Sequence, residues 1–300
     1  KMMLDNYFFG HKFILENYCK IKKNFFFSSI QHGWLSSASA ISSNLGKRFF
    51  NIYPYICWSS SLKKLLKKKK IKNVHAIGAP FLYLVDQKKK LKLSERGTII
   101  FPSKCHYSDN NSFRVNHEKL INLVEKKFEG PYTVSLFYTD LNSKISKFYK
   151  KKKWKIVCSG SRLNSFFLYR LLSQLKKNKN IVFTSIVSPL FYSFYLKKKT
   201  FLLIDYKIKN KVFPIKNKTY DTEKKDEIFY KKKYSFIFQN NQIEKKFKLS
   251  LLELGFKDMK TKKELSKLLF SNNLIEKICA IIFYIKDRFV QRNFIKKELK

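Results

Sequence analysis

Apolar residues along this chain fall in short runs, separated by small polar turns and by helical patterns. The clearest series lies between Trp154 and Asp205. There WKIVCSG precedes the helical pattern SRLNSFFLYRLLSQL, and NIVFTSIVS precedes PLFYSFYLKKK and the run TFLLID. Short apolar runs that alternate with helices are typical of buried parallel strands joined by crossover helices. The later half is therefore predicted to be an α/β unit with a parallel sheet.

The first third shows the same alternation on a smaller scale. The predicted elements are strands at Phe25–Gln31, Tyr53–Trp58 and Val74–Ile77, a helix at Leu62–Lys70 capped by Ser59–Ser61, and a short helix at Phe81–Val85. The polar segment Lys88–Arg96 is the predicted domain boundary. We therefore expect an N-terminal α/β domain at residues 1–90, with an N-terminus that is not necessarily complete.

A second domain is predicted at residues 91–225 and a helical segment at 226–300. The further predicted elements are strands at Thr98–Phe101 and Tyr132–Tyr138, a Lys-rich loop at Lys207–Lys233, and helices at Asn116–Phe128, Leu249–Gly255, Lys262–Phe270 and Leu274–Lys297. The last helix has a strongly basic face, which fits either an anionic membrane surface or packing across the two domains.

Charge changes this picture less than its size suggests. The formal net charge is +43, from 64 basic and 21 acidic residues, which alone indicates nucleic acid or anionic lipid. The Lys runs, however, stand between apolar segments, and the aromatic residues lie inside strand and helix patterns rather than alternating with Arg. We expect solvated helix ends and loops, keep an anionic membrane as a partner, and do not favour nucleic acid.

The five cysteines include no C-x-x-C pair, so neither a disulfide framework nor a zinc site is predicted. No apolar run reaches the length of a membrane span, and charges interrupt the N-terminal apolar residues, unlike a signal peptide. The expected location is cytoplasmic, with the option of a peripheral position on the inner face of the membrane.

Candidate ligand-binding residues stand at the predicted strand ends of the later half. Ser159, Gly160, Ser161 and Arg162 form one turn, where Ser161 would cap the helix and Arg162 would hold phosphate. Ser185, Ser188 and Pro189 form the next, with Ser188 as N-cap and Pro189 as the first helical residue. Free N–H groups at a helix start favour phosphate, so two such turns predict a nucleotide-binding crevice. Each turn would equally serve as an ordinary helix cap.

Other strand ends offer further candidates. Ser103, Lys104 and His106 follow the strand Thr98–Phe101 and would surround a phosphate or ribose, or form a plain polar loop. Gln31, His32 and Gly33 stand at an early strand end, where His32 would act as a general base, contact a phosphate or bond a loop carbonyl. Gly78 precedes Pro80 in a turn that suits either ligand contact or structure alone.

Several chemical signatures are missing from the sequence. There is no P-loop, no G-x-G-x-x-G and no D-x-D, and Asp221–Glu223 has D-x-D-like spacing only within a Lys-rich stretch. ATPase, dehydrogenase and hydrolase functions therefore have little support, and no metal ligand or cofactor is predicted.

In their order, these segments resemble GT-B-type bacterial glycosyltransferases of surface (capsular or lipopolysaccharide) polysaccharide synthesis, in particular the CDP-glycerol glycerophosphotransferase and capsule transferase group. The likeness covers roughly Phe25 to Phe270. It is carried by QHG at Gln31–Gly33, IGAP at Ile77–Pro80, TIIFPSKCH at Thr98–His106, the two later strand–helix units, and LLELGFKDMKTKKELSKLL at Leu251–Leu269.

The resemblance implies two Rossmann-like domains with parallel sheets facing a cleft, and a C-terminal helical segment. It implies metal-independent transfer of a sugar or sugar-like group from a nucleotide-activated donor to a glycan or lipid-linked acceptor. Donor phosphates would lie at Ser159–Arg162 and at Ser188, and the acceptor would enter beside His32 as catalytic residue. An acidic ribose-binding residue is not obvious, and Asp205 is only a weak candidate. Two alternatives stay open: a sugar-nucleotide 2-epimerase of the same fold, and a basic nucleic-acid-binding protein.

Overall fold

The computed structural model describes residues 6–21, 28–35, 54–88, 93–102, 114–203, 207–208 and 218–269. The helices in these ranges are α1 His11–Cys19, α2 Ser60–Lys68, α3 Pro80–Gln87, α4 His117–Lys127, α5 Lys144–Lys151, α6 Phe167–Lys177, α7 Ser188–Tyr195, α8 Lys218–Lys233, α9 Ile243–Glu253 and α10 Lys262–Leu269. The strands are β1 Ser29–Ile30, β2 Tyr55–Cys57, β3 Val74–Ala76, β4 Thr98–Phe101, β5 Arg114–Val115, β6 Tyr132–Ser135, β7 Lys155–Val157, β8 Asn180–Phe183, β9 Lys199–Leu202 and β10 Lys207–Ile208.

The chain divides into two compact units. Unit 1 comprises Lys1–Lys89, Arg162–Leu168 and Leu252–Lys300, and unit 2 comprises Lys90–Ser161 and Tyr169–Leu251. Unit 1 is thus assembled from three separate stretches of sequence, whereas unit 2 is interrupted once.

Unit 1 contains a three-stranded parallel sheet in the order β1-β2-β3. Its strands are short and buried, as their apolar sequences require. Helix α2 joins β2 to β3 and begins at Ser59, whose hydroxyl accepts a hydrogen bond from the Leu62 N–H at 3.3 Å. Leu62 and Leu66 project from this helix into a core with Tyr55 and Val74.

Residues distant in sequence complete unit 1. The Ala79 N–H donates to the Leu254 carbonyl at 2.8 Å. The Asp258 carboxylate accepts hydrogen bonds from both the backbone N–H and the hydroxyl of Ser60, and so caps the start of α2. Gly255, at a φ of +67°, lies directly against the backbone of Trp58. The helices after residue 252 are therefore structural parts of the N-terminal unit.

Unit 2 contains a five-stranded, wholly parallel sheet in the order β7-β6-β4-β8-β9. Starting at β4, the chain builds outward through β6 to β7, returns to β8 beside β4, and ends at β9. In chain order this is 3-2-1-4-5, the doubly wound arrangement. A short antiparallel pair, β5 with β10, joins the segments that leave β4 and β9.

The sheet of unit 2 is covered on both faces, as a parallel sheet requires. On one face, Ile100, Val134 and Val182 pack with residues of α4 and α5, including Leu120 and Tyr149. Adjacent strand residues point to the opposite face, and Ile99, Ile181 and Phe183 there are also fully buried.

A buried lysine covers the outer edge strand of this sheet. Lys246 on α9 is 2% exposed, and its ammonium donates to the Thr200 carbonyl of β9 at 2.8 Å. The ammonium also lies 5.5 Å from the centre of the Phe194 ring. Burial lowers the Lys246 pKa to about 8. An edge carbonyl is thereby paired within the unit.

Most predicted elements of the two sheets are confirmed. Every predicted strand is present, although the first is described only at Ser29–Ile30 and the strand Tyr132–Tyr138 ends at Ser135. The α/β class with parallel sheets is therefore confirmed. Among the described residues, no helix has both the length and the apolar character that crossing a membrane demands.

One prediction is wrong: the stretch Lys207–Lys233 is not a loop throughout. Residues 207–208 form β10 and 218–233 form α8. Charged residues at most positions of α8 hide its apolar periodicity, and one buried aromatic residue, Tyr230, anchors it. Helices α1 and α5 were not predicted, and the expected helix Leu274–Lys297 lies outside the described residues.

Candidate functional site

The carboxyl edge of the unit 2 sheet contains a topological switch point between β4 and β8. The chain leaves β4 toward β6 and leaves β8 toward β9, so the two connections diverge. Such divergence opens a crevice beyond the strand ends, and ligands of open α/β sheets bind there. Phe101 ends β4, and Thr184 and Ser185 follow β8.

After β8, helix α7 begins one residue earlier than predicted. The cap is Val187, and Ser188 is the first helical residue, with no side-chain cap bond. The Ser188 hydroxyl forms a hydrogen bond with the side chain of buried Tyr192 instead. The prediction of Ser188 as N-cap is therefore wrong, because this hydroxyl is directed along its own helix.

The first turn of α7 also offers few backbone donors. Pro189 has no N–H, and the Leu190 N–H already bonds the Val187 carbonyl at 3.0 Å. A phosphate at this point would depend on hydroxyl groups more than on the helix start. Ser185, 8% exposed, provides one in the turn before the helix.

The Ser159–Arg162 turn lies elsewhere on the same edge. It follows β7, the outermost strand, which stands three strand spacings from β8, about 14 Å in a regular sheet. The structure therefore does not place it beside the Ser185–Pro189 turn. Ser161 belongs to unit 2 and Arg162 to unit 1.

Ser161 does not cap a helix, which corrects the predicted direct passage from strand to helix. Helix α6 begins at Phe167. The Asn164 side chain accepts from the Phe166 N–H at 2.9 Å, and its carbonyl accepts from the Phe167 N–H at 3.0 Å. Asn164 is thus the residue that starts this helix.

The remaining members of this turn have structural partners. The buried Ser159 hydroxyl lies 3.4 Å from the Gln174 amide oxygen, which also bonds Ser135 at 2.9 Å. Gly160, at a φ of +100°, donates its N–H to the Cys158 sulfur at 3.1 Å. Arg162 packs its guanidinium 5.7 Å from the centre of the Phe8 ring, and burial lowers its pKa. These contacts favour the structural alternative for the turn.

Two residues at this edge were missed by sequence reasoning. Phe101 is partly exposed, and its ring stacks on Phe183 with centres 4.9 Å apart and planes at 15°. Asp140 follows β6 in a 3₁₀ turn and is 7% exposed. An acidic residue after the second strand of a doubly wound sheet is the usual partner of a ribose. The sequence could have indicated Asp140, because this residue follows the apolar run that contains the strand β6.

In unit 1, two of the predicted acceptor-side residues have structural roles. The Gln31 amide accepts from the Trp58 N–H at 2.8 Å and donates to the Gly33 carbonyl at 2.7 Å. Gly78, at a φ of +81°, faces Met259 and the Gly255 carbonyl. Both residues fix the ends of β1 and β3 rather than presenting a free surface.

His32 is different, because its side chain is exposed at the carboxyl end of β1. Its ring meets Phe8 edge-on at 5.7 Å. Beneath it lies His11, fully buried, with its ring 6.1 Å from that of Trp58. Burial and the nearby His32 lower the His11 pKa to about 3. His32 is thus able to contact a ligand, while neutral His11 belongs to the core.

Ser103, Lys104 and His106 lie outside the described residues, as do Asp205 and the side chains of Asp221–Glu223. Comparison with protein-family models finds no match, and neither the curated proteins nor the solved structures give a significant one.

Proposed function

We propose that unit 2 binds the nucleotide of an activated donor at the switch point between β4 and β8, and that the chain is a metal-independent glycosyltransferase. The acceptor would be a glycan or a lipid-linked saccharide. The two-domain GT-B arrangement, a cytoplasmic location and a peripheral position on anionic membrane are parts of the same proposal.

The strand order carries the proposal. A doubly wound sheet with the order 3-2-1-4-5 has one crevice between its first and fourth strands. The groups near this crevice suit a nucleotide: the partly exposed Phe101 ring for the base, Asp140 for ribose hydroxyls, and the Ser185 hydroxyl for phosphate.

The contribution expected from unit 1 is His32. A neutral imidazole that is open to the surface can accept a proton from a sugar hydroxyl. Deprotonating the acceptor would make its oxygen a better nucleophile toward the anomeric carbon, while the nucleotide phosphate leaves.

A sugar-nucleotide 2-epimerase is the less favoured enzyme. Its chemistry calls for several carboxylates around the sugar. On the described part of the unit 2 carboxyl edge, Asp140 is the single acidic residue.

Nucleic-acid binding is the alternative that the net charge of +43 favours. It makes a distinct prediction, because neutralising several phosphates releases counterions and gives a steep fall of affinity with salt. Micromolar binding to arbitrary RNA or DNA with such a slope would replace the transferase proposal.

The direct test is thermal unfolding of the full chain with CMP, CDP, UDP or GDP. A ligand that binds only the folded state at about 100 times its Kd adds roughly 2.7 kcal/mol, a shift of about 4–8 °C at roughly 1.5–3 °C for each kcal/mol. We expect one nucleotide to give this shift.

Variants then locate the binding. Phe101→Leu and Ser185→Ala should abolish most of the nucleotide-dependent shift, and Ser188→Ala and Arg162→Ala test the two predicted turns. Ser173→Ala, a part-buried serine in the middle of α6, is the matched control and should retain the shift. If Phe101→Leu and Ser185→Ala both retain it, the switch point is not the site.

A further inference from the structure

A cavity lies in unit 2, at the opposite edge of the sheet from the proposed donor site. Its volume is about 450 Å³, within the range of roughly 300–1,000 Å³ of small-molecule sites. It opens where β8 and β9 begin, since Asn180 and Lys199 are neighbours in register there. The Lys127–Glu129 segment at the end of α4 and Asn240–Asn241 form its other walls.

The charges around this cavity favour an anion. Lys127, Lys179 and Lys199 line it with exposed side chains, against the carboxylate of Glu129. Lys179 lies 3.4 Å from Glu129, an exposed ion pair that is worth little. Three ammonium groups on separate segments that converge on one cavity are the arrangement that holds a phosphate.

The rest of the lining is aromatic and amide-bearing. Phe128 is partly exposed, and its ring packs edge-on against Phe201 with centres 4.5 Å apart. This pair is anchored in the core of unit 2, so the exposed ring surface is held rigidly. Asn240 and Asn241 also line the cavity, and an asparagine side chain carries both donors and an acceptor.

We propose that this cavity binds a nucleoside phosphate, with the phosphate among the lysines and the base on Phe128. A plain inorganic anion would use the lysines alone and leave the ring unused, and an apolar ligand would make no use of the lysines. This second site goes beyond the proposed function, because it lies at the amino edge and the donor would lie at the carboxyl edge.

The probes are AMP, adenosine and inorganic phosphate, titrated into the full chain by calorimetry. AMP should bind more tightly than either of the other two. Lys127→Gln combined with Lys199→Gln should weaken AMP binding about 10-fold or more. The exposed lysines Lys147 and Lys232, changed to Gln together, are the matched control and should leave the affinity unchanged. Melting temperatures without ligand check that each variant is folded.

Two further variants separate the contributions. Phe128→Leu should reduce AMP affinity to near that of inorganic phosphate, because the base loses its stacking surface. Glu129→Gln should raise AMP affinity about 3-fold by removing the opposing charge, a gain that damage to the fold would not produce.

Three results would overturn the second site. They are no AMP binding up to about 10 mM, equal losses in the two double-lysine variants, and full AMP affinity in the Lys127→Gln/Lys199→Gln protein. The last result, with affinity lost in Phe101→Leu, would place AMP at the donor site. If the nucleotide-dependent rise in melting temperature persists in the Lys127→Gln/Lys199→Gln protein, the proposed donor site does not depend on this cavity.

Discussion

The two units bury parallel sheets by different means. In unit 2, each crossover from β6 onward is short, and the sheet grows from neighbouring segments of chain. In unit 1, three strands of two or three residues depend on segments from beyond residues 160 and 250. Short strands leave little surface for a core, so close backbone contacts between distant segments stabilise unit 1.

This difference locates the sensitive positions of each unit. Unit 1 depends on close backbone contacts at Gly10 and Gly255, a kind of contact that unit 2 has at Gly97. Unit 2 depends on polar groups buried within its layers, such as His117 with Tyr149 and Lys246 with Thr200. A Cβ added at Gly255 should therefore damage unit 1, and a change of pH should act through identifiable buried side chains in both units.

The largest effect is expected for Gly255→Ala. A Cβ at this position would overlap the Trp58 carbonyl oxygen, and a φ of +67° is unfavourable for alanine. We expect a loss of about 4 kcal/mol in the free energy of unfolding, measured by urea denaturation. Hydrogen exchange should show the loss in the peptides of unit 1.

Gly130→Ala in unit 2 is the control for this change. Its Cβ would meet only the ring of Tyr132, at 3.3 Å. A loss below about 1 kcal/mol is expected. Equal losses for the two variants would show that the close backbone contact at Gly255 is not the cause.

Acid should destabilise the protein through two buried histidines. Burial lowers the pKa of His117 to about 4, and burial with the charge of His32 lowers that of His11 to about 3. At pH values between these folded-state pKa values and the unfolded value of about 6.5, both histidines are protonated in the unfolded chain and neutral in the folded chain. Stability therefore falls as pH decreases from 6.5 to 4, on the order of 3 kcal/mol for each histidine.

Urea midpoints at pH 7 and pH 4.5 measure this effect. His117→Phe should remove the part of the acid destabilisation that comes from unit 2 and leave the part that comes from unit 1. His11→Phe should do the reverse. An unchanged acid response in both variants would show that other groups cause it.

Alkali is expected to stabilise the folded protein, by a smaller amount than acid destabilises it. The Lys246 pKa is lowered to about 8 in the folded state, against about 10.4 in an unfolded chain. The unfolded chain binds the extra proton between these values, so stability should rise by roughly 2 kcal/mol between pH 7.5 and 9.5.

Lys246→Met removes the titrating group and keeps much of the side-chain volume. Its stability at pH 7.5 should lie within about 1 kcal/mol of the natural chain, because burying a charge and losing its hydrogen bond nearly cancel. The alkaline rise should be absent from this variant. A rise that persists would locate the titration elsewhere.

The sheets were predictable from the sequence because their strands are continuous apolar runs closed by turn residues. Tyr55–Cys57, Thr98–Phe101 and Asn180–Phe183 all show this pattern, and Ser59 and Asn116 mark their helices as caps. Helices with few apolar positions were not predicted, as in the case of α8, because charged residues on every face obscure the periodicity on which a helix prediction depends.

The candidate site was less predictable, because strand order is a property of the fold. The sequence indicates that Ser161 and Ser188 both follow strands, but only the order β7-β6-β4-β8-β9 shows that those strands are far apart. The cap at Asn164 and the bond of Ser188 to Tyr192 likewise depend on local geometry that a serine alone does not specify.

The most direct test of the central claim is hydrogen exchange of the full chain with and without the nucleotide that gives the largest thermal shift. We predict slower exchange in peptides spanning Phe101 and residues 184–190, at the carboxyl ends of β4 and β8. Protection confined to residues 127–129, 179–180 and 199–203, or no protection in unit 2, would contradict a donor site at the switch point.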